Sequence, residues 1–559
     1  VRKVNPQNGV SKITVPAPDV VTKVVPVPTD GWDAISPLAS MDPKRAPILN
    51  NWIPRPGWVE LREGYFPWVL TGNTTTPVET LMVRRAEGKE EMFAALGADI
   101  IDVSQFGVTG DPVVTGLNSA RWQYVNFTPA GGSTVIQLVN GIDTLKQYDG
   151  TDWTTPSITG LPNSLTTAAI TNIYAQKRRL WYILGNGTGG GSTMVAFMPT
   201  DAITGAIAGT QDFGALWTKG GYLVAMSDWT VDGGNGPQDY ACFISSRGQV
   251  SIYAGDDPTN ASAWTLVGTF DIAPPISLRC ATKLGSDVGL ITQQGVIPLS
   301  QALPFDPGAD RSVAVTARIQ NAMAQAANIG LNLFGWQLIS FPPQQLGILN
   351  VPQIENHTQV QYVMNTLTGA WCQFTGWNAN CFEIYNNILY FGGNNGSINQ
   401  CFVGSSDFDQ PILANMQCAY NYFDAPGRIK RMTMVQPFLT AGETITPQIS
   451  VDADFVIETQ TAPITILNGG ALWDTAVWDT SIWFGSTIQT TGWLSAEAMG
   501  HALAVHLTVN IAATELGTNV GLFDFSAFDT AEFDEGINTT STILQVNAFN
   551  TILEMGGFV

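Results

Sequence analysis

Three histidines, His357, His501 and His506, are the chain's whole supply of side-chain bases that titrate near neutral pH. Nucleophilic catalysis needs a hydroxyl or thiol with such a base held beside it. No G-x-S-x-G elbow accompanies any of the three, and no pair sits four residues apart to grip zinc from one helix face. His501 and His506 flank the strand-like run 502–505, and their odd spacing turns them to opposite faces. All three read as structural. The carboxylate clusters Asp256-Asp257, Asp407-x-Asp409 and Asp452-x-Asp454 could offer oxygens to a hard cation. None has the closing Glu of a calcium loop, so each reads more simply as a turn in which Asp bonds its own backbone. An acid pair for glycoside hydrolysis is set by the fold and not by spacing, and nothing in the sequence favours one.

Gly185-Asn186-Gly187-Thr188-Gly189-Gly190 spells G-x-G-x-x-G. The dinucleotide fingerprint needs a strand before that run and a helix after it, because the helix N-terminus holds the pyrophosphate. Residues 192–198 read instead as a second strand, which makes the run a hairpin loop. The six cysteines (Cys242, Cys280, Cys372, Cys381, Cys401, Cys418) form no CxxC pair and no zinc spacing. They read as free, mostly buried thiols of a protein made in a reducing cytoplasm. The densest basic spots, Lys177-Arg178-Arg179 and Arg428-Ile429-Lys430-Arg431, lack interleaved aromatics and read as solvated turns or acid-pairing contacts. The expectation is a protein that is not an enzyme, with no catalytic, cofactor-binding or metal-binding residue and no cofactor.

The elements that must carry these residues follow from composition. Charged residues are 13% of the chain, about half the usual ~25%, while hydrophobic residues are 45%. With 56 Gly and 32 Pro, the pattern suits many short strands joined by tight turns. A surface so poor in charge is poorly solvated, which predicts burial against further copies. The net charge of −21 leaves too few cations to clamp DNA phosphates, yet suits a wall past which DNA slides. The N-terminal residues lack the apolar core of a signal peptide, and no run of about 18 apolar residues could span a bilayer.

Residues 1–30, with Val and Pro alternating, predict an extended arm that is disordered or laid along a neighbouring subunit. Residues 31–79 are expected to form an N-terminal docking segment with the first strands. Residues 80–405 read as a β-propeller of five to seven blades, built from a loose repeat of strand, Gly turn, short strand and aromatic. Trp153, Trp264 and Trp371 recur about every 110 residues, which fits two blades of about 50. A helix is predicted from Ser312 to Ala327, with Ser312 as N-cap, Gly330 as stop and Val315, Ile319, Met323 and Ala326 on one stripe. Residues 406–559 predict a C-terminal β-sandwich-like platform or tip. Its two aromatic-acidic stretches, 472–484 and 523–534, are expected to pin aromatic anchors into the body or a neighbour. The fold class is all-β.

The opening of the body resembles the tail nozzle (tail-tube accessory) proteins of short-tailed bacteriophages. The residues concerned are Gly31-Trp32, Pro37-Leu38, Met41-Asp42-Pro43, Asn50-Asn51-Trp52-Ile53-Pro54, Gly57-Trp58 and Arg62-Glu63-Gly64-Tyr65. Shorter matches follow at 264–268, 295–300, 389–398 and 473–479. The resemblance implies a hexameric ring of propeller subunits in the virion tail, made in the host cytoplasm. The ring would sit below the portal and head-to-tail adaptor, beside tail fibres or spikes, and continue the DNA duct. It would retain the genome and conduct it during ejection without specific DNA binding. A tail fibre or receptor-binding protein should show coiled-coil or shaft repeats, and a glycan-active propeller enzyme a secretion signal; neither is seen.

Overall fold

The computed structural model describes residues 19–232, 237–285, 287–302, 314–408, 410–441, 447–458, 464–465, 488–490, 492–511 and 544–558. Residues 1–18, Ser312, Asp409 and the stretches 472–484 and 523–534 lie outside the described residues.

Strand alternation and Gly turns between residues 78 and 401 produce seven antiparallel units in succession. Their first strands are Val78–Ala86, Gln123–Phe127, Ile170–Gln176, Leu223–Asp232, Ala281–Leu284, Gln337–Phe341 and Ala379–Tyr385. Each lies against the next and the seventh lies against the first, so the ring closes as a seven-bladed propeller. Blade 7 is completed by Tyr65–Leu70, a strand from before blade 1, which pairs antiparallel with Ser397–Cys401. Trp153, Trp264 and Trp371 stand on the fourth strands of blades 2, 4 and 6, so the interval read from sequence spans two blades.

Apolar side chains from facing blades hold the ring. Met82 and Phe93 meet Ile136 and Leu138 between blades 1 and 2, and Cys242 and Ile252 meet Leu290 and Ile297 between blades 4 and 5. Each such fully buried side chain contributes roughly 1.5–3 kcal/mol.

The predicted helix begins late. The α-helix is Gln320–Gly330, preceded by a 3-10 turn at Ala317–Ile319. The reason is tertiary: the Val315 N–H donates to the Val296 carbonyl, and the Thr316 hydroxyl accepts from the Val296 N–H. These bonds draw residues 315–316 onto the edge of three-stranded blade 5. Ile319, Met323 and Ala326 then pack into the propeller core beside Trp336 and Val351. The Trp336 indole closes the helix by donating to the Gly330 carbonyl at 2.7 Å.

The second body is a sandwich. One sheet holds Arg428–Ala441, Leu544–Phe558, Trp58–Leu61 and Trp52–Arg55. The other grows out of blade 6: Trp371–Phe374 passes to Ile48–Asn50, then Ile412–Gln417, Leu503–Ile511 and Gln448–Ala453. Met432, Val435, Phe549 and Leu553 of one sheet face Ala414, Met416, Val505 and Leu507 of the other in a continuous core.

The N-terminal arm differs from expectation where it is described. Asp19–Pro26 is a strand paired along the chain's own C-terminal strand, with Asp19 opposite Met555 and Pro26 opposite Ala548. Val25 turns inward and is buried while Val20 and Val24 face out, so alternation gives this arm a core-facing side. An edge strand also tolerates Pro26.

Candidate functional site

The first strands of all seven blades surround one cavity of about 230 Å³ on the propeller axis. Tyr124, on the first strand of blade 2, donates its hydroxyl to Glu383 of blade 7 at 2.6 Å, and Arg85 of blade 1 donates to the same carboxylate at 2.7 Å. Burial, then the Glu383 charge, pushes the Tyr124 phenol well above its ordinary range. Tyr174 of blade 3 donates to Asp228 of blade 4, and Lys283 of blade 5 donates to that carboxylate at 2.5 Å. Burial and the Asp228 charge raise the Tyr174 phenol as well. Both phenols stay neutral at pH 7, and both carboxylates are already held by a cation and a phenol. Neither is available as a general base.

Two guanidinium groups share the Phe334 ring. Arg121 lies 4.5 Å from its centroid and Arg279 5.2 Å. Arg121 is bound to Glu79 at 2.9 Å and to Glu355. Charge pairs thus bridge the axis from blade to blade. Their sequence separations are large, and composition carried no signal for them.

The sequence candidates are placed as follows. The glycine run is the hairpin loop between Arg179–Gly185 and Gly191–Phe197. Its amides are spent internally, because Asn186 Oδ1 accepts from the N–H groups of Thr188 at 2.9 Å and Gly190 at 2.8 Å. The loop floors a cleft of about 930 Å³ that has no charged side chain among its lining residues. Asp257 bonds the Thr259 N–H and hydroxyl in a turn and reaches Arg179. Asp454 accepts the N–H groups of His501 and Ala502, and these outweigh burial to lower its carboxyl. Among the described residues no three His, Cys, Asp or Glu side chains group to hold a metal.

His506 is buried between Asp452, 3.0 Å from Nδ1, and Asn415, 2.5 Å from Nε2. Gln417 donates to the same Asp452 oxygen at 2.6 Å. His501 stands in the bend before the strand, 3.8 Å from Asp454, and His357 contacts Thr358 in an exposed turn. The basic spots are occupied within the chain: Arg178 pairs Asp201, Arg179 pairs Asp257, and Arg431 pairs Glu497. Lys430 is buried and donates to the carbonyls of Ala425, Arg428 and His501 at 2.6, 2.8 and 2.7 Å. Burial pushes its ammonium below the ordinary lysine range. All six cysteines are buried free thiols, each raised by burial where a shift is resolved, as in Cys381 at about 11.

The densest polar constellation joins the two bodies. All five N–H donors of Arg62 are used. They go to Asn51 Oδ1, the Glu63 and Thr375 carbonyls, and both oxygens of Asp407. The guanidinium also lies 5.1 Å from the Trp377 ring, whose indole N–H donates to Asp407. Asn51 takes a left-handed backbone, φ 63°, and ties Thr375 to the Leu413 carbonyl through its amide. Gly64 allows this approach, since a Cβ there would stand 1.7 Å from the Ser406 carbonyl oxygen. Gly31, at φ 84°, similarly lies against the Trp371 backbone.

No family model matches this chain, and no curated protein matches it. Among solved structures, it is similar to the crystal structure of BBS1N in complex with ARL6DN soaked with mercury, at 10% identity and a TM-score of 0.29. The alignment covers 43% of this chain and 73% of that one. The lead-soaked crystal of the same complex gives 11% identity and a TM-score of 0.28, covering 43% and 74%. A likeness this loose carries no argument about role.

Proposed function

We propose that this chain is a structural virion protein without enzymatic activity, the nozzle of a short bacteriophage tail. Copies close a hexameric ring below the portal and head-to-tail adaptor. The ring continues the DNA duct, retains the packaged genome and conducts it during ejection. The observation that carries this reading is where the family-like opening residues stand. Gly31, Asn51, Trp52, Arg62 and Gly64 together build the joint between propeller and sandwich. The resemblance therefore falls on residues that build the architecture and not on scattered surface letters.

Two further observations support it. Arg121, Phe334 and Arg279 meet across the propeller axis, which favours a duct formed between copies over one through a single subunit. With a net charge of −21, such a wall repels phosphates and lets DNA slide. The test is the mass of the purified chain in solution, with negative-stain images of the same sample. A ring of about six copies, or a monomer that closes a ring on a portal–adaptor complex, is the expected result. A stable trimer of fibrous outline, or a monomer indifferent to virion parts, overturns the proposal.

A further inference from the structure

Buried Lys430 and half-buried Arg279 contact no carboxylate among the described residues, and they differ in kind. Lys430 has three carbonyls for its three N–H groups. Arg279 uses Nη2 alone, donating at 3.0 Å to the Thr80 hydroxyl and at 3.0 Å to the Trp122 carbonyl. Among the described residues its Nε and Nη1 have no hydrogen-bond acceptor, and its side chain lines the axial cavity. Apart from the Gln123 side chain, which has no hydrogen-bond partner among the described residues, the other polar groups of the wall are committed. The Asn172 amide donates to the Val224 and Leu278 carbonyls, the Gln337 amide is paired with the Phe382 backbone, and Thr282 donates to the Leu338 carbonyl. Partial desolvation of a guanidinium that touches no carboxylate is costly, and an anion beside it reduces that cost.

We propose that the axial cavity binds a small monovalent carboxylate on the free N–H groups of Arg279. The volume, about 230 Å³, holds such an anion with several waters at ~30 Å³ each. Glu383 also lines the cavity, neutralised by Arg85 and by the Tyr124 hydroxyl. One uncompensated cation, Arg279, matches a single negative charge better than a divalent oxyanion, and Glu79 lies beyond, engaged by Arg121. The site goes beyond the ring proposal and does not depend on it.

The experiment titrates the full chain with acetate at constant ionic strength, reading saturation-transfer NMR of the acetate methyl and the thermal midpoint. Saturable binding to wild type is expected, with Arg279→Gln and Arg279→Met weaker by at least about tenfold, as for loss of a charge-assisted hydrogen bond. Arg178→Gln, whose exposed guanidinium pairs with Asp201 away from the cavity, serves as the control and should retain the acetate response. No saturable signal in wild type overturns the proposal, whether or not the variants fold. Equal binding by a folded Arg279 variant does so too. Displacement of acetate by inorganic phosphate at lower concentration overturns the assignment to a monovalent carboxylate.

Discussion

The Arg62 guanidinium and the Asp407 carboxylate, 345 residues apart along the chain, meet through two parallel hydrogen bonds of 2.8 and 2.5 Å. Both side chains are buried, at 0% and 5% exposure. Arg62→Ala strands the Asp407 charge in a dry site and is expected to cost about 3–5 kcal/mol. Arg62→Met combined with Asp407→Leu removes both charges and is expected to recover much of that loss. Urea midpoints of the three proteins check this, and a double variant no better than the single one contradicts it.

The N-terminal strand gives a test of register. Val25 is 3% exposed and Val24 64%. Val25→Asp is expected to lose on the order of 3 kcal/mol, because a carboxylate enters the core unpaired. Val24→Asp is expected to stay within ~0.5 kcal/mol of wild type. Proteolysis near residue 27 should accelerate only in the first. Equal effects would mean that the strand does not hold this register.

Asp143 supplies a pH dependence. Burial raises its carboxyl, but the Asn140 and Asn118 side chains and the Asn118 and Ser119 N–H groups outweigh burial and bring it below its ordinary value. The folded state thus binds the proton less well than the unfolded one. Its stabilising contribution is present above the unfolded pKa of about 3.9 and is lost as pH falls from there through the folded value. Asp143→Asn is expected to be less stable at neutral pH and to show a shallower acid limb. Thermal midpoints across that range decide it.

Thiol reactivity follows from burial. Cys280 and Cys418 are each pushed up to about 12, and all six cysteines are buried. Thiolate, not thiol, attacks an aromatic disulfide reagent. The native chain at about pH 8 is expected to titrate less than about one thiol over minutes, and the urea-unfolded chain all six. A fast-reacting native thiol would locate an opening the fold does not have.

The blades were legible because their signals are local. Trp264 opens a strand opposite Gly255, which ends the strand before it, so the two-blade interval from Trp153 survives in the sequence. The joint was half legible: Arg62 and Gly64 stood in a recognisable run, but Asp407 looked like one half of a turn. Nothing near Tyr65–Leu70 announces a partner at Ser397–Cys401, and nothing in the Val-Pro arm announces Met555. The helix start was misplaced for a similar reason, since Val296 pulls Thr316 away from it. The axial pairs, such as Tyr124 with Glu383, come from separate blades and have no spacing to read. Periodicity reports which face is buried; it does not report what the face meets.

The strand that closes blade 7 has a consequence for biosynthesis. Leu70 leaves the ribosome long before its partner Ser397, and at roughly 5–20 residues per second the wait is on the order of 15–60 s. Over that interval the growing chain carries an unpaired seam on each side of its first blades. Asp19–Pro26 waits longer still, for its partner at residues 548–555. A pause in translation before residue 397 would prolong the vulnerable state, whereas one after residue 401 would leave the ring already shut.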